Sequence, residues 1–99
     1  MTLRYSARAR AHLLAIYEHI RERNPTAASR VGARIREAAE VLRSFPYAGR
    51  PGRSANTREW VVQGLPYIIV YQVDSDEPVQ VTILGIFHCA RNPDDPERR

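Results

Sequence analysis

The sequence predicts a two-layer α+β domain in the order βααβββ, a helical hairpin packed on a small antiparallel sheet. Three observations predict it. Two consecutive stretches repeat apolar residues at spacings of three and four, the helical period. A break rich in proline and glycine, Pro46 to Gly52, ends that pattern. Apolar, β-branched runs separated by short turns then follow in close succession.

Residues 2–5 (TLRY) are short and β-like, and Ser6 after them is a good helix N-cap. Leu13, Ile16, Tyr17 and Ile20 fall at i, i+3, i+4 and i+7, one apolar stripe on a helix over about 6–23. Arg8, Arg10, Glu18, Arg21 and Glu22 lie mostly off that stripe. Asn24-Pro25-Thr26 then punctuates the chain; Pro25 suits the first turn of a second helix, with Asn24 or Thr26 as its cap. In that helix Ala28, Val31, Ile35, Ala38, Leu42 and Phe45 form a seam that should face the first helix or the sheet. The short connection makes the pair an antiparallel hairpin.

Residues 46–56 (PYAGRPGRSAN) read as a loop holding Arg50 and Arg53. Strands are expected at 57–63 (TREWVVQ), 67–73 (YIIVYQV) and 79–88 (VQVTILGIFH), joined by turns at Gly64-Leu65-Pro66 and at Asp74 to Pro78. Their close spacing predicts an antiparallel meander. Trp60 on the first of them suits the core better than a stacking platform. The last eleven residues, CARNPDDPERR, are polar and proline-broken and read as a frayed end, so one domain over 1–93 is followed by a polar tail at 94–99.

Composition narrows the function. Ninety-nine residues suffice for one modest core, and 43% hydrophobic with 26% charged side chains excludes a disordered or fibrous chain. No apolar run approaches the roughly 18 residues of a membrane span, and MTLRYSARAR lacks the apolar centre of a signal peptide, so a soluble cytoplasmic protein without membrane contact is expected. A single cysteine, Cys89, excludes an internal disulfide and a multi-cysteine zinc site. All fifteen basic side chains are arginine, which excludes a Schiff-base lysine or a phosphate-loop lysine. Residues 1–73 hold twelve arginines against five carboxylates (net +7), whereas 74–99 hold three against six (net −3). A basic body of this kind favours an acidic partner, either nucleic acid or an acidic protein segment.

Few constellations carry chemistry. His12, His19 and His88 are scattered, and His12 and His19 are seven apart rather than at the i, i+4 spacing of helical ligand pairs, so no metal site and no cofactor is expected. The loop AGRPGRSAN has two glycines and two arginines but no strand-to-helix context for cradling phosphate. Arg58, His88 and Arg91, with Trp60 and Tyr67 nearby in sequence, are the most suggestive set. If the first and last strands of the meander share an edge, two arginines around a histidine could hold a phosphodiester and transfer a proton. Alternatively Arg58 pairs with a carboxylate and His88 caps the core at a strand end.

With these residues in order, the chain resembles the RelE/ParE toxin superfamily, and its ParE-like branch in particular. The resemblance runs from about residue 3 to 93 through FPYAGRPGR, TREWVVQGLPYIIVYQV and ILGIFHCARNP. It is carried by Phe45-Pro46, Gly49-Arg50, Arg58-Glu59, Pro66-Tyr67, Val70-Tyr71, His88 and Arg91 taken as a set. It implies the βααβββ fold and the toxin half of a bacterial type II toxin–antitoxin pair, a growth inhibitor of the kind that stabilises plasmids. It also implies neutralisation by a small cognate ParD-like antitoxin, through which the hetero-oligomer reaches operator DNA. Leu14 and Tyr17 on the helical hairpin are the antitoxin-binding candidates.

Two activities occur in the superfamily. RelE-like members cut messenger RNA in the ribosomal A site without a metal, and ParE-like members poison DNA gyrase. The nuclease pattern places an arginine after the aromatic of the hairpin's second strand, where this chain has Ile68 after Tyr67. It also carries lysines near the preceding strand and a tyrosine or basic residue in the tail, where this chain has no lysine and Asn92-Pro93-Asp94. The resemblance therefore implies a gyrase inhibitor that binds its target without catalysis, through Arg50, Arg53, Arg58 and Arg91. The alternatives are a metal-independent endoribonuclease using Arg58, His88 and Arg91, or an inactive antitoxin-binding module.

Overall fold

The computed structural model describes residues 2–76 and 78–89. The elements are β1 (Thr2–Tyr5), α1 (Ala7–Arg21), α2 (Pro25–Ser44), β2 (Arg50–Pro51), β3 (Arg58–Val61), β4 (Tyr67–Asp74) and β5 (Gln80–His88). This is the α+β order expected from the sequence, with one extra short strand.

The helices start where their capping chemistry dictates. The Ser6 hydroxyl accepts from Ala9 N–H at 3.0 Å, and Asn24 Oδ1 accepts from Ala27 N–H at 3.0 Å, with Pro25 at the first helical position. Each cap satisfies one otherwise orphaned N–H, a contribution of about 1 kcal/mol. α2 ends at Ser44, and Phe45 leaves the helical conformation with φ −131°. That turn carries Phe45 out of the apolar seam it was expected to close: its side chain is 64% exposed. Ala28, Gly32, Ile35, Ala39 and Leu42 make the buried face instead.

The sheet runs β1-β5-β4-β3-β2. β3, β4 and β5 form the expected antiparallel meander. Gly64 sits at φ +81° in the turn between β3 and β4, a conformation available to glycine at little cost. The structure departs from an all-antiparallel sheet at both edges. β1 pairs parallel to β5, because the helical hairpin returns the chain to the far edge in a crossover. β2 lies within the stretch expected to be a loop and pairs antiparallel to β3, Arg50 opposite Glu59.

One face of the sheet carries Tyr71, Ile69, Val81, Ile83 and Ile86, packed against Ala9, Ile35, Ala39 and Leu42 of the hairpin. Each large apolar side chain buried here contributes about 1.5–3 kcal/mol. Ile83 and Ile86 share this face although three residues apart, because the register slips by one between Val70 and Tyr71. Trp60 packs against the same core and donates from Nε1 to Ala38 O at 3.0 Å, so its polar edge is satisfied. A smaller cluster of Ile68, Val70, Phe87 and Leu84 forms on the other face.

Beyond Tyr5 no strand among the described residues lies beside the edge of β5, and α1 covers it. Ser6 N–H donates to Ile83 O at 2.9 Å, and the Ile86 N–H donates to His12 Nδ1 at 3.1 Å. The His12 ring meets Phe87 edge-on at 5.1 Å, and the Arg8 guanidinium lies 5.5 Å from the centre of the same ring. His12 is therefore a structural acceptor for a strand edge.

Candidate target-binding site

The segment between α2 and β3 is fixed by two side chains from the sheet. The Tyr71 hydroxyl, rooted in the core, donates to Pro46 O at 2.8 Å and accepts from Gly49 N–H at 2.9 Å. Arg58 donates from Nη1 to Gly49 O at 2.6 Å and to Tyr47 O at 3.3 Å, and its guanidinium lies 5.0 Å from the centre of the Tyr47 ring. Three backbone carbonyls and one N–H are thereby satisfied without a long strand, and residues 46–49 take one path. At the far end Gly52 N–H donates to Thr57 O at 2.8 Å, and the Thr57 hydroxyl donates to Ser54 O at 2.7 Å, closing a turn with Arg53 exposed on it.

Arg58 therefore clamps backbone carbonyls, where pairing with a carboxylate was the plainer expectation. The carboxylate of Glu59, buried at 7% exposure, is paired instead with the exposed Arg50 at 3.2 Å. The loop thus presents Tyr47 and Arg53 outward with Arg50 and Arg58 partly engaged, and Phe45 stands beside them.

Arg58 and His88 do not converge. Arg58 lies opposite Tyr71 on β4, whereas His88 on β5 lies opposite Tyr67. Four residues along β4 and two strand spacings separate the pair, about 16 Å from standard sheet dimensions. His88 ends β5 partly buried, its ring 5.4 Å from that of Tyr67 in an edge-on arrangement, which fits a strand-end residue packed at the core margin. Arg91 lies outside the described residues, as does the tail at 94–99. Ile68, at the position where the nuclease pattern has arginine, is buried with Val70 and Phe87. Leu14 and Tyr17 project from α1, at 57% and 36% exposure. Among the described residues no three His, Cys, Asp or Glu side chains group as metal ligands, and no helix is long and apolar enough to cross a membrane.

Burial raises the pKa of Tyr71 above the ordinary tyrosine value; the Gly49 hydrogen bond and the Arg58 charge oppose the shift without cancelling it. Burial also raises Tyr5 and Tyr67. A raised folded-state pKa means that the neutral form is favoured by folding, so this stabilisation is complete below the unfolded value near 10 and is lost as pH climbs through the folded values. Urea midpoints measured from pH 8 to 11.5 should be flat to about pH 10 and then fall, and Tyr71→Phe should fall less steeply.

The comparisons with known proteins decide the family. Residues 3–93 match the family described as ParE toxin of type II toxin-antitoxin system, parDE. The chain belongs to the ParE toxin family. It is 42% identical over 87 residues to a Sinorhizobium fredii relative named as toxin Y4kP, covering 88% of this chain and 86% of that one. It is 40% identical over 84 residues to the toxin RelE2 of Caulobacter vibrioides, covering 85% of this chain and 90% of that one. A solved structure titled as the chromosomal ParDE TA system from P. aeruginosa superposes with a TM-score of 0.79 at 26% identity, over 89% of this chain and 95% of that chain. The ParE family is a toxin family, so the chain is the toxin component of a type II toxin–antitoxin system. The ParE fold and the mixed sheet described above are one architecture.

The sequence indicated Arg50, Arg53 and Arg58 but not the aromatics beside them or the Tyr71 staple. The apolar seam put Phe45 in the core, and Tyr71 inside YIIVYQV is indistinguishable from an ordinary core residue.

Proposed function

We propose that this ParE-family toxin acts in the cytoplasm by binding DNA gyrase and arresting replication, and that a cognate ParD-like antitoxin neutralises it and carries the complex to operator DNA. The observation that carries this reading is the strand register, which sets the backbones of Arg58 and His88 about 16 Å apart, with Arg58 turned onto the Tyr47 and Gly49 carbonyls and His88 onto the Tyr67 ring. A general acid must lie within hydrogen-bond reach of the group that it serves, and His88 is too far to serve a phosphate held at Arg58. Buried Ile68 supports the same reading, since no charge is presented where the nuclease pattern has its arginine. The toxin then works by differential binding, stabilising a cleaved-DNA state of its target, with Arg50, Arg53, Arg58 and Arg91 as contacts.

Purified toxin added to gyrase and supercoiled plasmid should raise the yield of linear DNA released by detergent and protease. An unchanged yield, with codon-dependent cuts appearing in messenger RNA on programmed ribosomes, would replace this reading with the nuclease one.

Antitoxin capture is assigned to the outward stripe of α1. Leu14→Ala with Tyr17→Ala should weaken antitoxin binding by tenfold or more in titration calorimetry, since a buried tyrosine is a common interface anchor. Growth arrest by the same variant should persist and become harder to rescue with antitoxin.

A further inference from the structure

Two aromatic side chains beside the clamped loop stand outside the core, Tyr47 with the Arg58 guanidinium 5.0 Å from its ring centre. Phe45 is 64% and Tyr47 57% exposed, although burying such rings is among the largest available gains in folding. Their backbone is held from below: Tyr71 binds Pro46 O and Gly49 N–H, and Arg58 binds Tyr47 O and Gly49 O. Rings on an ordered backbone lose little freedom when something packs on them. The same stretch is strongly cationic. Residues 41–58 contain Arg43, Arg50, Arg53 and Arg58 and no acid, and the bracketing carboxylates Glu40 and Glu59 are engaged with Arg43 and Arg50.

We propose that Phe45 and Tyr47, flanked by Arg50, Arg53 and Arg58, form a stacking platform for single-stranded DNA. Two features favour bases over an acidic peptide as the occupant. The rings are exposed on a surface loop, whereas a peptide anchor needs a concavity; among the described residues one apolar concavity, of about 240 Å³ and lined by Ala27, Val31 and Leu65 between Arg30 and Arg34, lies toward the opposite end of α2. Ten helical residues lie between Arg34 and Phe45, a rise of about 16 Å along the axis. Aromatic faces interleaved with arginines are also the general means of binding a single strand without reading its sequence, bases stacking while guanidinium groups meet phosphates. Choosing DNA over RNA rests on the replication-directed reading above, in which the toxin acts where DNA strands are opened.

The test uses the isolated toxin and a fluorescein-labelled twelve-residue oligothymidylate, with no gyrase present, so that its outcome is independent of whether gyrase is the target. Anisotropy should show binding that Tyr47→Ala and Phe45→Ala each weaken by about tenfold and that Tyr47→Trp restores, the size expected for one stacked base. Tyr47→Leu should behave like Tyr47→Ala, which separates stacking from loss of bulk. Arg53→Gln should flatten the dependence of affinity on salt. A strand carrying 5-iododeoxyuridine should photocrosslink to Tyr47 or Phe45. Affinity unaffected by the aromatic substitutions, tighter binding to oligouridylate than to oligothymidylate, or loss of antitoxin binding in Tyr47→Ala with DNA binding intact would each overturn the proposal.

Discussion

Gly49→Ala should lower the stability of this toxin by about 3 kcal/mol or more, because the added methyl meets rigid atoms on two sides. A Cβ built at Gly49 falls 2.7 Å from Glu59 O and 2.7 Å from the Tyr71 hydroxyl. Neither can yield cheaply. Glu59 O belongs to β3, and Tyr71 is a fully buried side chain whose hydroxyl is already bonded on both sides of the loop. Relief requires moving the loop off the sheet, which breaks the Tyr71 and Arg58 bonds together. For a domain of this size the melting temperature should fall by more than about 12 °C. Tyr71→Phe is the companion variant: it keeps the ring in the core but leaves Gly49 N–H and Pro46 O unpaired, at about 2–4 kcal/mol. A shift of Tm under 3 °C for Gly49→Ala would mean that the loop is not fixed as described.

Arg58→Ala combined with Arg91→Ala should weaken target binding by about 30-fold, the scale of an interface hot spot, while antitoxin affinity is retained. Arg58 acts twice, presenting charge and holding the Tyr47 and Gly49 carbonyls. Arg58→Lys separates the two roles. It keeps the charge but loses the planar, forked geometry, so it should restore charge-dependent binding only in part. The readouts are colony formation on induction without antitoxin and calorimetric titration with antitoxin. Full toxicity of a well-expressed double variant would remove these arginines from the target surface.

Much of this architecture is written locally. Ser6 and Asn24-Pro25 mark helix starts that their own side chains then cap, and Gly64-Leu65-Pro66 marks a turn for which glycine supplies the positive φ. What is not legible depends on partners far apart in the chain. Nothing in TLRY says that it pairs parallel to the strand some 80 residues later. The bulge at Leu84 shows in sequence only as alternation giving way to an apolar run, yet it lets Ile83 and Ile86 share a face. The separation of Arg58 from His88 is a matter of strand offset, fixed by the turn and the bulge together, and side-chain types alone cannot report it. Phe45 misled because helical periodicity continues one residue past the helix: its spacing fits the seam while its backbone has already turned away.

On the proposed function, this ParE-family toxin halts DNA replication and leaves RNA uncut. The most direct test is pulse labelling after induction of the toxin in a bacterial host lacking the antitoxin, with thymidine and amino-acid incorporation followed side by side. Thymidine incorporation should fall first, cells should filament, and His88→Ala should change neither. Amino-acid incorporation falling first, with toxicity abolished by His88→Ala, would contradict the proposed function.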